Sequence, residues 1–320
     1  MAVWPSHKVG KRVRVIIDND FSGDPDGLVQ LAHHLLSPSV DIRAVIGTHL
    51  RVGDPWNTGD DVGLAVAAAE KVVELCGQTG QYPVLAGARG ALTDVNTPLD
   101  SEGIDFIIQE AMRDDVDTPL FVACGASLTE IASAVLKEPR IADRLTLVWI
   151  GGHEYEGLGP LAPGAPDLEY NLHEDVVAGL VVFNHSQLKL WQVPRDSYRS
   201  CLYSRAEILD NLLQAGPLGA HLAAELGRVS EWVHDMGGSV GEAYALGDSP
   251  LVLLTALQTA FEPDTASSSW ADVTCPTLLP NGLYQDNPHG RQIRVYGLLD
   301  NRLLFEDMLA KFRLHGRGLL

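Results

Sequence analysis

Residues 14–31 read Arg-Val-Ile-Ile-Asp-Asn-Asp-Phe-Ser-Gly-Asp-Pro-Asp-Gly-Leu-Val-Gln-Leu, so an apolar β-type run ends in Asp18, Asp20, Asp24 and Asp26 within nine positions. Four carboxylates at one strand end repel one another unless something cationic holds them. In an α/β sheet that end is also where ligands sit. Hard cations that seek oxygen, Ca²⁺ or Mg²⁺, are the natural partners. Acids merely decorating a helix N-terminus would explain one or two of the four, not all. An EF-hand loop opening at Asp18 is excluded, because its twelfth position is Val29 and a strand rather than a helix precedes it.

The elements that must position this cluster alternate along the chain. Strand-like apolar runs recur at 12–17, 41–47, 119–124, 145–150, 188–193 and 292–299, with helical patterns between them. That βαβ rhythm predicts an α/β fold, a single domain over residues 1–320 with a mostly parallel central sheet flanked by helices. Asp24 is expected to cap the first helix with Pro25 at its first position, and Leu28, Leu31, Leu35 and Leu36 to make its buried stripe. His33 and His34 on that helix are expected at the surface or an interface. Ser127-Leu-Thr-Glu130 and Ser204-Arg-Ala-Glu207 read as capping boxes. Ser249-Pro250 opens a helix running through Leu251, Leu254, Leu257 and Phe261, and Asp300 opens the last one. Residues 153–167 and 262–290, rich in Gly or Pro, are expected to be irregular.

Bulk properties narrow the partners. The formal charge of −19 over 320 residues argues against a nucleic-acid backbone or an anionic membrane surface as partner. A content of 46% hydrophobic and 20% charged residues is that of a globular chain able to bury a large core. No apolar run reaches membrane-spanning length. The first residues, Met-Ala-Val-Trp-Pro-Ser-His-Lys, lack the apolar core of a signal peptide. Cys76, Cys124, Cys201 and Cys275 form no CxxC pair and read as reduced thiols, so the cytoplasm is the expected compartment.

Two families share parts of the acidic pattern. Asp18-x-Asp20 after a strand resembles the haloacid-dehalogenase phosphatases, with Asp18 as nucleophile and Mg²⁺ as metal. Of that family's later acidic motif, Gly247-Asp248 supplies only the first part. The fuller pattern, Asp18-x-Asp20-x-x-Gly23-Asp24-Pro25-Asp26-Gly27, resembles the Asp-x-Asp-Pro-Gly-x-Asp-Asp-Ala signature of nucleoside hydrolases of the inosine–uridine type, with Pro25 as an insertion. Further segments follow in that family's order: Pro83-Val-Leu-Ala-Gly87-Ala88, Cys124-Gly-Ala-Ser-Leu-Thr129, Trp149-Ile-Gly-Gly152, Leu168-Glu169-Tyr170-Asn171, Leu246-Gly247-Asp248 and Asp300-Asn-Arg-Leu-Leu-Phe305.

The resemblance implies a homodimer or homotetramer that hydrolyses a nucleoside or related riboside to free base and ribose with Ca²⁺. It assigns Asp20, Asp26 and Asp248 to the metal through carboxylates, and Thr129 through its main-chain carbonyl. Asp24, Glu169 and Asn171 would hold ribose hydroxyls. Asp20 would take the proton of the attacking water, with Asp18 orienting it from behind. Gly247 stands where many members carry a histidine that protonates the departing base. His234 is a possible substitute from an upstream helix, although a lone histidine there is more often solvated. His49 and His153 are also at plausible rims. Trp56, Trp232 and Trp270 could stack on a base, whereas Trp149 and Trp191 lie in strand-like runs and should pack. The absence of a histidine at 247 keeps a riboside-binding homologue without turnover as a rival.

Overall fold

The run Val13–Asn19 forms β1, and all seven of its residues are buried. A strand covered on both faces belongs in the interior of a parallel sheet. The computed structural model describes residues 9–159, 164, 166–258 and 267–320. After β1 come α1 (Asp26–Leu35), β2 (Val40–Gly47), α2 (Asp61–Leu75), β3 (Val84–Ala86), α3 (Glu102–Ala111), β4 (Leu120–Cys124), α4 (Thr129–Lys137) and β5 (Leu145–Ile150). Then follow α5 (Tyr170–Glu174), α6 (Val176–Leu180), β6 (Lys189–Val193), α7 (Arg195–Tyr198), β7 (Leu202–Ser204), α8 (Arg205–Leu213), α9 (Gly216–Asp235) and β8 (Ala243–Ala245). The chain closes with α10 (Pro250–Thr255), β9 (Ser269–Thr274), β10 (Thr277–Leu278), β11 (Tyr284–Gln285), β12 (Gln292–Leu298) and α11 (Asn301–Gly316).

Eight strands build the central sheet in the order β3-β2-β1-β4-β5-β6-β12-β9. Every pairing is parallel except the edge pair β12–β9. The protein is thus a single α/β domain with a mostly parallel sheet flanked by helices. From β1 the chain builds outward through β2 and β3, then returns to lay β4 on the other flank of β1. This reversal is a topological switch point, and it opens a crevice beyond the carboxyl ends of β1 and β4. Asp18 pairs with Cys124 in register there, and Gly125 N donates to Asp18 O at 3.0 Å. The acidic run leaves the sheet at this crevice.

Local details depart from expectation in instructive ways. Pro25 takes the N-cap position of α1 and Asp26 opens the helix, with Asp24 Oδ1 accepting from Asp26 N at 3.3 Å. The expected capping box at Ser127 does not form. Ser127 Oγ bonds Thr129 Oγ1, while Glu130 reaches across the sheet to accept from Thr48 Oγ1 at 2.8 Å and from Ala88 N at 2.8 Å. Ser204 does cap α8 by position, without a side-chain bond. The stretch after 267 is more regular than its proline content suggests, because β9 adds an edge strand and β10 pairs with β11. Phe261 lies outside the described residues.

His33 and His34 are fully buried rather than superficial. Helix α1 packs against α2, α9, α10 and α11, which leaves no side free. Burial lowers the pKa of His33 to about 4, although its Nε2 lies 2.7 Å from Asp307 Oδ2. Burial also depresses His34 well below its ordinary value. A base with a depressed folded pKa contributes stability above its unfolded pKa, and this is lost as pH falls toward the folded one. Unfolding free energies of the wild type should therefore fall more steeply between pH 6.5 and 4 than those of His33→Gln. Parallel slopes in urea titrations across that window would contradict a neutral buried His33.

Candidate active site

The crevice at the switch point is a cleft of about 210 Å³. Asp20, Asp24, Asp26 and Asp248 bring carboxylates to it, and Trp56, Tyr170 and Tyr198 bring aromatic rings. Asp20 and Asp26 follow β1 directly, while Asp248 arrives from the turn between β8 and α10. Asp248 N donates to Asp26 Oδ2 at 3.0 Å, which fixes the two loops against each other. Asp24 Oδ1 accepts from Tyr244 OH at 2.6 Å.

These acids are strained electrostatically. Burial first, then Asp248, Glu174 and Asp24, raise the Asp20 carboxyl well above the usual range. Burial, Asp248 and Asp24 do the same to Asp26. Asp248 is pushed up to about 7, mainly by burial, against a hydrogen bond from Asn19 that favours its charge. Groups that raise one another's pKa in this way would each be relieved by a shared cation.

Behind the carboxylates runs a buried hydrogen-bond chain. Thr255 Oγ1 donates to Leu251 O at 2.6 Å, so it accepts from Nε2–H of His34 at 2.8 Å. His34 Nδ1 must then accept from Gln30 Nε2. Gln30 Oε1 in turn accepts from Asn19 Nδ2 at 3.4 Å, and Asn19 Nδ2 donates to Asp248 Oδ2 at 2.9 Å. Asn19 Oδ1 accepts from Asp20 N at 2.9 Å, so one side chain aligns both acids. Two glycines make room for it. A Cβ at Gly27 would stand 2.9 Å from Asn19 Nδ2, and one at Gly125 only 2.5 Å.

Glu169 is fully enclosed and does not line the cleft. Its carboxylate accepts from Gly152 N at 2.7 Å, Tyr198 OH at 2.8 Å, Leu172 N at 3.0 Å and Asn171 N at 3.2 Å, capping α5 and tying down the glycine turn after β5. Asn171 does line the cleft. Its amide hydrogens are engaged by Ile150 O at 2.8 Å and Gly125 O at 3.0 Å, so what it offers a ligand is its side-chain oxygen.

Other residues singled out by sequence fall elsewhere. Asp18 is completely buried, and neither carboxylate oxygen has a hydrogen-bond partner. It is absent from the cleft lining, and no hydrogen bond joins it to Asp20. Burial and the neighbouring Glu130 raise its pKa well above the usual range. Thr129 opens α4, buried, with its hydroxyl on Asp175 Oδ2 at 2.7 Å. Gly125 is the residue of that turn that lines the cleft. His234 is exposed in the last turn of α9. Two residues earlier, Trp232 packs on Trp56 at 4.9 Å between ring centroids. His153 bonds Gly282 O at 2.9 Å, His49 is buried beside Glu130 with no hydrogen bond to either ring nitrogen, and neither lines the cleft. Trp270 lies on the edge strand β9 against Arg294, far along the sheet. Trp149 and Trp191 pack in the core as expected.

Sequence reasoning missed Asn19, Gln30, Tyr198 and Tyr244. Asn19 was visible inside Asp-Asn-Asp, but its role depends on Asp248, 229 positions away.

The sequence matches the family model of inosine-uridine preferring nucleoside hydrolases over residues 15–285. The chain belongs to that family, and the protein is a hydrolase acting on N-glycosyl compounds. Its fold is that of solved nucleoside hydrolases. A plant nucleoside hydrolase, the PpNRh1 enzyme, superposes with a TM-score of 0.70 at 16% identity, covering 94% of this chain and 99% of that one. The purine-preferring ribonucleoside hydrolase from Gardnerella vaginalis gives 0.65 at 18%, covering 95% and 99%. The inosine-uridine preferring nucleoside hydrolase from Bacillus anthracis gives 0.63 at 13%, covering 94% and 99%. No protein of curated function matches the chain.

Among the described residues, no three His, Cys, Asp or Glu side chains are drawn together into a preformed metal cage. The donor chemistry nonetheless fits a hard divalent cation: four carboxylates, those of Asp20 and Asp248 buried, and no sulfur or imidazole line the cleft. Substituting a residue that orients a metal-binding carboxylate typically weakens metal affinity about 10–100-fold. If the cleft holds a divalent cation, Asn19→Leu should therefore shift the midpoint of cation-dependent thermal stabilisation upward by about that factor. An unchanged midpoint would show that Asn19 does not serve the carboxylates.

Proposed function

We propose that the protein hydrolyses the N-glycosidic bond of a ribonucleoside in the cleft at the β1/β4 switch point, with Ca²⁺ as cofactor. The observation that carries this is the convergence of Asp20, Asp26 and Asp248 on one cleft whose wall also carries Asn171 and aromatic rings. Asp20, Asp26 and Asp248 would hold the cation, with Gly125 as the nearest main chain of the β4–α4 turn in place of Thr129. When bound, such an ion supplies positive charge that acidifies a neighbouring water and grips sugar hydroxyls.

The chain's own groups do the rest. Asp24 and the side-chain oxygen of Asn171 accept hydrogen bonds from ribose hydroxyls, and Glu169 holds the segment that carries Asn171. Asp24 is already engaged by Tyr244, so a sugar hydroxyl shares or displaces that bond. Cleavage builds positive charge on the ribose, which the anionic floor stabilises without rearranging. Asp20 accepts the proton of the water that attacks the anomeric carbon. Trp56 and Tyr170 offer faces to the base. Asp18, buried and without a hydrogen-bond partner, holds no position in this scheme.

Purified protein incubated with purine and pyrimidine ribonucleosides should release free base and ribose with Ca²⁺ and lose that activity with chelator. Asp20→Ala should lower kcat by about 10²–10⁴-fold while the protein remains folded. Near-normal turnover by Asp20→Ala would refute its role as base. Ca²⁺-dependent riboside binding without release of base would instead favour a binding protein.

A further inference from the structure

Position 247 has no side chain, and a Cβ built there would stand 3.2 Å from Cδ2 of Tyr198 and 3.4 Å from Asp26 Oδ2. The phenol ring of Tyr198 thus occupies the space into which a residue at 247 would project. Its hydroxyl is committed to Glu169 Oε1 at 2.8 Å. The aromatic part of the cleft wall is the ring of Tyr198 with Trp56 and Tyr170. Among the described residues lining the cleft there is no Lys, Arg or His. Four carboxylates, Asp20, Asp24, Asp26 and Asp248, face it. Two positive charges from a divalent ion would still leave the cleft anionic.

Resting on the hydrolase reading above, we infer that the preferred substrates are ribosides whose leaving base is already cationic, such as N7-alkylated purine ribosides or N-ribosylpyridinium compounds. Two physical terms point the same way. A neutral nucleoside must leave as an anion unless an acid protonates the base, and general acid catalysis is worth about 10²–10⁴-fold. A cationic base needs no proton. The C1′–N⁺ bond breaks with its electron pair going to nitrogen, which departs as a neutral heteroaromatic. The water oxygen bonds C1′, and its proton passes to Asp20 and then to solvent. Binding follows the same preference, because the anionic cleft attracts the cation and indole and phenol faces bind it by cation–π interaction. Such an interaction, desolvated, is worth about tenfold or more in affinity.

The test is steady-state kinetics of the Ca²⁺-loaded protein on guanosine, 7-methylguanosine and the neutral but activated 4-nitrophenyl riboside, for wild type and Trp56→Leu. Expected is a kcat/KM for 7-methylguanosine at least about 100-fold above guanosine, and a KM about tenfold below that of the nitrophenyl riboside. Trp56→Leu should erase most of the KM advantage. Equal kcat/KM for guanosine and 7-methylguanosine would overturn the inference while leaving the hydrolase intact. A high ratio with no KM advantage over the nitrophenyl riboside would overturn recognition of the cation. No turnover of any of the three would sink both this inference and the hydrolase reading.

Discussion

Mutual repulsion among Asp20, Asp26 and Asp248 is the constraint around which this molecule is organised. Two like charges about 4 Å apart near a protein surface cost about 4 kcal/mol, against a total stability for a typical fold of about 5–15 kcal/mol. Such a cluster persists only if protons or a cation neutralise part of it. Asp248, pushed up to about 7, is close to taking a proton on its own. The topology explains why the charges meet here at all. β1 is central, covered on both faces, and reverses the direction of sheet growth at the point where its last residues emerge.

Holding that arrangement requires a neutral and rigid support. Asn19 is the only residue bonding both the Asp20 main chain and the Asp248 carboxylate among the interactions described, and it is held in turn by Gln30 and His34. Burial keeps His34 neutral, so it can accept from Gln30 on one nitrogen and donate to Thr255 with the other. A charged imidazole would donate from both and break the chain. The absence of side chains at Gly27 and Gly125 gives Asn19 its room. The same economy of space recurs at Gly247, where the void is filled by the ring of Tyr198, whose hydroxyl is committed to Glu169.

Much of this was legible from the residues. The β-run ending in four acids sets β1, the crevice and three of the cleft's carboxylates, and the βαβ rhythm gives the parallel sheet. What escaped has physical causes. β3 has three residues and β9 is an exposed edge with proline-rich neighbours, so neither shows a strong period. The burial of His33 and His34 depends on α9, α10 and α11, which arrive far later in the chain, and a two-residue polar step on an apolar helix carries no mark of that. Thr129 was assigned by motif position alone. Of the turn after β4, it is Gly125 that lines the cleft. The role of Tyr198 could only be seen once β7, just after it, had paired with β8, just before Gly247.

The most direct test of the central claim is calorimetric titration of Ca²⁺ into metal-free protein at pH 7, run in two buffers of different ionisation enthalpy. A cation that displaces protons shared among raised-pKa carboxylates predicts one site and a net proton release on binding, both lost in Asp26→Asn. Binding that is absent, or that releases no proton and survives Asp26→Asn, would contradict the account.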